Sequence, residues 1–246
     1  MLPDPSPAAV AALAPTGRLR AGINLSNFLL VTGREPDGSP RGVSPDMARE
    51  LARRLGVDIE LVPFPSPGEL ADAATADAWD VGNIGAEPAR AAAIAFTAAY
   101  CEIDCTYLVP PGSPITSIDE VDRPGIRIAS APRAAYDLWL ERNLQHAELV
   151  RSEHLGGSFE LFAGQGLDAL AGLRPALVRD AERLPGSRLL DGKFSSVQQA
   201  IGTPRHRDDA GINYLSAFVE HMKATGFVAD RIAFHGVVGL SVAPPA

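Results

Sequence analysis

Basic residues, aromatics, sulfur and long apolar runs are all scarce in this chain of 246 residues. Lys and Arg together number 22 against 30 Asp and Glu, giving a net charge of −8 and a pI near 5.1. A general nucleic-acid or anionic-membrane binder carries a basic footprint, so neither partner is expected. No apolar run approaches the ~20 residues of a membrane helix, so membrane insertion is not expected. The two cysteines are Cys101 and Cys105. Four apart on a strand they would sit ~13 Å apart, too far for a disulfide. The five histidines, His146, His154, His206, His221 and His235, show no ligand spacing and read as surface residues. Phosphate-loop, zinc-helix and nucleophile-elbow motifs are missing. Gly164-Gln165-Gly166-Leu167-Asp168-Ala169 fits a loose dinucleotide pattern, but a helix-like run precedes it and a strand-like run follows, the reverse of the required order. Neither a metal nor a cofactor is expected.

What is present is an ordinary globular composition, 46% hydrophobic and 21% charged. The length suits one large domain or two small ones, and it buries enough surface to fold without staples. The first eighteen residues include Asp4, three early prolines and no basic residue before Arg18, which is not the pattern of a secretory signal. As written, the chain is expected in the cytoplasm; with a leader removed from its front it would be periplasmic. It is read as a monomer.

Short apolar strands alternate with helical patterns, the signature of βαβ units. Strands are expected at 18–23, 57–61, 80–85, 103–109, 126–130, 147–151 and 168–172, with 194–202 extended again. Ser44-Pro45-Asp46 opens a helix carrying Met47, Leu51 and Leu55 and ended by Gly56. Ser66-Pro67-Gly68-Glu69 is a capping box for a helix to about Trp79. Further helices are expected near Glu87-Pro88, over 133–145, and along the face Ile212, Leu215, Val219 and Met222. Arg205-His206-Arg207 with Asp208-Asp209 reads as a solvated loop and helix cap. The breakers at 110–114 and at Thr203-Pro204 divide the chain into two α/β lobes, 18–109 with 203–246 and 110–202. In such folds ligands bind at the carboxyl ends of strands and between lobes.

Three segments, G-V-S-P-D-M-A-R-E-L-A-R-R-L-G (42–56), W-D-V-G-N-I-G-A-E-P-A-R (79–90) and I-A-F-T-A-A-Y (94–100), follow in the order and spacing of the family 3 extracellular solute-binding proteins. T-Y-L-V-P (106–110) and I-R-I-A-S-A (126–131) extend the likeness. The chain resembles that family from about residue 18 to 234. The resemblance implies a two-lobed type II periplasmic-binding-protein fold with a ligand cleft between lobes that closes by hinge motion. It also implies a small-molecule ligand and, for an exported protein, an ABC permease as partner. By the same resemblance Arg90 is the carboxylate clamp, aided by an adjacent helix N-terminus, and Asn24, Asn27 and Asn83 contact ligand. Ser130 to Arg133 fall on the family's anion-contacting turn, so Ser130 and Arg133 are assigned to the ligand as well. A guanidinium takes a carboxylate bidentately, and an Asn offers both a donor and an acceptor.

The departures narrow the ligand. The family's two acids for an α-ammonium fall on Asn24 and near Leu173, and the Asp80 to Arg90 spacing is about two residues short. Asp104 is the substitute acid. The ligand expected is a small, anionic carboxylate. The alternatives are a lyase on the same scaffold, like the cyclohexadienyl dehydratases, with Asp104 or Glu87 as its acid, and a cytoplasmic sensor.

Overall fold

The computed structural model describes residues 2–246, which divide into two compact units, one of the residues up to 102 with 198–246 and one of 103–197. The divisions fall inside two strands, Ile94–Val109 and Ser195–Pro204. The breaker cluster at 110–114 ends the first of these strands rather than marking the division. A single sixteen-residue strand supplies backbone pairing to both units, and breakers are needed only where it stops.

In the first unit, the strand Arg18–Asn24 lies parallel to Asp58–Phe64 on one side and to Val81–Gly85 on the other. Val81–Gly85 then pairs antiparallel with Ser195–Pro204. The helix Val43–Leu55 buries Val43, Met47, Ala48, Leu51 and Leu55, the four-residue spacing seen in the sequence. Its cap is Gly42, not Ser44. Gly42 has φ +151°, and a Cβ there would lie 2.2 Å from the Leu30 carbonyl oxygen, so only glycine lets the loop close onto the helix start. Ser44 instead donates its backbone N–H to the Leu30 carbonyl at 3.2 Å. At the other end Gly56, φ +70°, provides the expected left-handed cap.

Ser66 caps its helix by accepting from the Glu69 N–H, but the box is not completed, since the Glu69 carboxylate accepts from the Ser66 hydroxyl and not from its backbone N–H. The helix is shorter than expected, Pro67–Asp72, because the chain must turn to bury Trp79. Trp79 packs on Leu70, Ala74, Ile84 and Ile94 and donates its indole N–H to the Leu70 carbonyl at 2.9 Å. Gly22 and Gly82 make room for the ring: a Cβ on either would meet it at 3.1–3.2 Å. Ser6 caps a helix Pro7–Leu13 that the Ala- and Pro-rich composition disguised. It packs on the helix Asp209–Ala224, where a Cβ on Gly211 would touch Ala12 and Leu13.

The second unit is a sheet with apolar layers on both faces. Arg127–Ser130 runs parallel to Glu148–Arg151 and to Ala169–Leu173, and the last pairs antiparallel with Ile94–Val109. Alternation sorts the side chains. Tyr107, Ile128, Ala169 and Ala171 meet Leu140 of the helix Ala135–Asn143. Leu108, Ala129 and Leu170 meet Phe162 of Ser158–Gln165 and Leu177 of Arg174–Arg183. The last helix is one the sequence did not announce, since Leu177 is its one buried residue. The loose G-x-G-x-x-A stretch runs from helix to strand, as its flanks indicated.

Candidate functional site

In the first unit Asn24 ends the strand Arg18–Asn24 and Asn27 follows it, while Asn83 lies within the parallel strand Val81–Gly85 and Arg90 follows that one. Asn24 ends the first strand, and its Oδ1 accepts from the Ser26 N–H at 3.1 Å and the Ser26 hydroxyl at 2.7 Å. Asn27 is buried and its Oδ1 accepts from the Leu29 N–H at 3.2 Å. Both asparagines therefore shape the loop that follows the strand.

Asn83 differs. It sits in the wholly buried strand Val81–Gly85, between Ile23 and Ile201 on the neighbouring strands, and is 1% exposed. Neither its Nδ2 nor its Oδ1 has a hydrogen-bond partner among the described residues. A buried amide left unsatisfied costs of order 1–3 kcal/mol, so a strand that otherwise selects apolar residues keeps this one at a penalty.

Arg90 follows the same strand. Its Nη1 donates to the Gly85 carbonyl at 2.7 Å and the residue is 6% exposed. The helix expected near Glu87-Pro88 is absent. Residues 88–93 form turns, with Arg90 N–H to the Glu87 carbonyl and the Ala93 and Ile94 N–H groups to the Arg90 carbonyl. The chain has only this stretch in which to reverse into Ile94–Val109, too little for a regular helix. The helix N-terminus assigned to assist Arg90 is therefore not there.

In the second unit Ser130 ends its strand, fully buried, with an Oγ that has no hydrogen-bond partner among the described residues. Its carbonyl accepts from the Ser152 N–H at 3.1 Å. Arg133 is exposed and holds φ +61°, one of two non-glycine residues in the left-handed region among those described. That conformation ends any continuation of a helix back to 133, so the helix starts at Ala135. The turn is held from below by Asp137. One of its oxygens accepts the Arg133 N–H at 3.0 Å, and both accept Arg151 Nε at 3.0 and 3.1 Å. Asp137 thus already places a carboxylate at this helix N-terminus.

Asp104, on the long strand, accepts from Lys193 Nζ at 2.8 Å and from the Ser196 hydroxyl at 2.7 Å. Burial pushes its carboxyl up, but the hydrogen bonds from Lys193 and Ser196 outweigh that and hold it below the usual carboxylate range. Cys101 and Cys105 are both buried free thiols.

Two side chains of this region carried no signal in the sequence. Gln199 is buried opposite Gly85, on the same sheet face as Asn83 because Ile201 is paired with Asn83. The Tyr100 hydroxyl is buried with no partner among the described residues. Two readings of the sequence are corrected nearby. His235 is not a surface residue: its side chain is 4% exposed and its Nε2 lies 2.8 Å from Asp46. Arg207 is not solvated, and it reaches Asp77 at 2.7 Å and Asp80 at 3.1 Å.

The sequence model for bacterial extracellular solute-binding proteins, family 3, matches residues 22–233. This chain belongs to that family. No curated protein matches it in sequence. Among solved structures, this family 3 protein is similar to a mutant of ArgBP from T. maritima, at 19% identity and TM-score 0.71, covering 93% of this chain and 99% of that one. A solute receptor for L-cysteine from Neisseria gonorrhoeae gives 19% identity, TM-score 0.72 and 94% of both chains. An ancestral amino-acid-binding protein, a precursor of cyclohexadienyl dehydratase, gives 20% and 0.71 over 93% and 99%. The family 3 solute-binding fold, with its α/β architecture, is therefore that of two-lobed periplasmic-binding proteins. Among the described residues no helix is long and apolar enough to cross a membrane.

Proposed function

We propose that this family 3 protein is the binding component of an ABC-type importer and that it captures a small, anionic, carboxylated solute. The observation that carries the reading is the Asn83 amide, buried and without a partner among the described residues in the middle of the strand that leads towards Arg90. Family membership supplies the class of function. The structural relatives are named for amino acids, arginine for the T. maritima protein and L-cysteine for the gonococcal receptor, and each such ligand carries a carboxylate.

In this reading the first unit meets the carboxylate through Asn83 Nδ2 and the guanidinium of Arg90, which is held at the strand end by Gly85. Permease and localisation follow from the importer role, which places the protein outside the cytoplasmic membrane.

The likeness to a precursor of cyclohexadienyl dehydratase raises a lyase as the second reading. A lyase needs a proton donor, and Asp104 is held ionised by Lys193. Native mass spectrometry of the purified protein, followed by titration calorimetry with whatever co-purifies, tests the first reading. A carboxylate bound unchanged is the expected result. A bound species without a carboxylate ends the proposal, and conversion of the bound species to a product favours the lyase.

A further inference from the structure

Asp104 is the one carboxylate among the seven residues that the sequence assigns to the ligand, and it is already engaged. The segment that engages it is fixed by backbone pairing: Leu190 donates its N–H to the Tyr107 carbonyl at 2.9 Å and Phe194 to the Cys105 carbonyl at 3.0 Å. Lys193 lies between these anchors and so reaches Asp104 at 2.8 Å, while Ser196 approaches the same oxygen at 2.7 Å. Arg174, clamped by the Leu190 and Gly192 carbonyls, adds a second positive charge to the field at Asp104. The residue that pairs with Cys105 across the sheet is Leu173, which has no charge to offer.

We propose that Lys193 is a specificity-determining residue: by occupying Asp104 it selects carboxylate ligands that lack a primary ammonium. This rests on the carboxylate-binding reading above and names the substrate class within it. A ligand ammonium could use Asp104 only by displacing a tethered ammonium, whose effective concentration is on the order of millimolar or more. It would also have to approach Arg174, a like charge. A ligand without the amine meets neither obstacle, and the local positive charge favours its carboxylate.

The pair is half exposed, at 49% and 47%, so losing it costs little stability and the variants should fold. The test measures affinity for matched pairs that differ only in the α-amino group: L-leucine, L-phenylalanine, L-arginine and L-glutamate, each against its des-amino acid. The wild type should bind the des-amino member at least about tenfold more tightly in the pair it recognises. Lys193→Ala should shrink that ratio at least about fivefold, and adding Asp104→Asn should restore it. A ratio unchanged within about twofold in Lys193→Ala overturns the assignment, as does a wild type that prefers the amino acid. If no member of any pair binds, the carboxylate-binding reading fails and this inference fails with it.

Discussion

Asp80 and Arg20 lock in a two-pronged ion pair: Nε of Arg20 lies 3.1 Å from Oδ2 and Nη2 lies 2.8 Å from Oδ1, while the Arg20 backbone N–H also reaches Oδ2 at 3.0 Å. Asp80 is fully buried and takes Arg207 on the same carboxylate at 3.1 Å. Its own carbonyl accepts from the Thr203 hydroxyl. One side chain thereby ties the first strand, the turn after Trp79 and the loop after Ser195–Pro204. Removing it takes the two-pronged partner from Arg20 and leaves Arg207 with Asp77 alone, and breaking a buried pair costs ~3–5 kcal/mol. Arg20 is 22% exposed at its side chain, so water recovers part of this. Asp80→Ala is expected to lose about 2–4 kcal/mol in urea unfolding, and Asp80→Asn should recover only part of it. A loss under about 0.5 kcal/mol, the range of an ordinary surface change, would show the network to be ornamental.

The sequence exposed the parts of this protein that are periodic. Met47, Leu51 and Leu55 announced their helix because each is buried against the sheet. Helix Arg174–Arg183 buries only Leu177, so no period existed to be read. Helix 7–13 did carry its signals, a Ser6 cap and a Pro at the first turn, but composition masked them. Partners across the fold were invisible for a different reason. Nothing local says that Arg207 finds Asp80, that His235 finds Asp46 or that Lys193 finds Asp104, since those pairs are 127, 189 and 89 residues apart. Asn83 was legible only through the family resemblance; its burial within the strand and its lack of partners were not.

Asp122 sets an acid limit on the second unit. Its carboxylate accepts the backbone N–H groups of Gln145, His146 and Ala147 at 2.8–2.9 Å. Burial raises its pKa, but these three bonds outweigh that and leave it lowered in the folded chain. A carboxylate whose folded pKa lies below its unfolded value adds stability that is complete above the unfolded value, near 4 for Asp. That stability is lost as pH falls through the folded value. Unfolding midpoints measured from pH 6 down to pH 2 should drop more steeply for the wild type than for Asp122→Asn. Parallel curves would remove Asp122 as a contributor.

Arg90 serves the fold, whatever it does for a ligand. Its bond to Gly85 and its burial mean that Arg90→Ala leaves a buried carbonyl short of a donor, at a cost of about 1–3 kcal/mol of stability. If it also clamps a carboxylate, truncation should weaken binding by a further ~2–5 kcal/mol, about 30-fold to several-thousand-fold. Arg90→Lys keeps the charge without the planar fork and should restore binding only in part. Calorimetry with the co-purified solute, on protein shown to be folded, separates the two effects. A change in affinity under about threefold, within the range for a surface pair, would leave Arg90 a purely structural residue.

Asn83 permits the cleanest separation of fold from function, because the two roles predict opposite signs. An asparagine that stabilised the strand would have partners to lose, and Asn83 has none for either amide atom among the described residues. Asn83→Val suits a buried strand and removes two unsatisfied polar atoms, each worth roughly 1–3 kcal/mol when left unpaired. The extra bulk against Ile23 and Ile201 offsets part of the gain. The unliganded variant should therefore be as stable as the wild type or more so, by up to about 2 kcal/mol. Binding should move the other way, since a hydrogen bond to a charged group is worth about 1.5–3 kcal/mol, a tenfold to hundredfold loss. A gain in stability bought with lost affinity is the signature of a residue retained for its ligand. Thermal unfolding and calorimetry on the same preparation give both numbers. If Asn83→Val instead lowers stability by more than about 1 kcal/mol and leaves affinity intact, Asn83 belongs to the core, and the carboxylate-binding reading loses the observation that carries it.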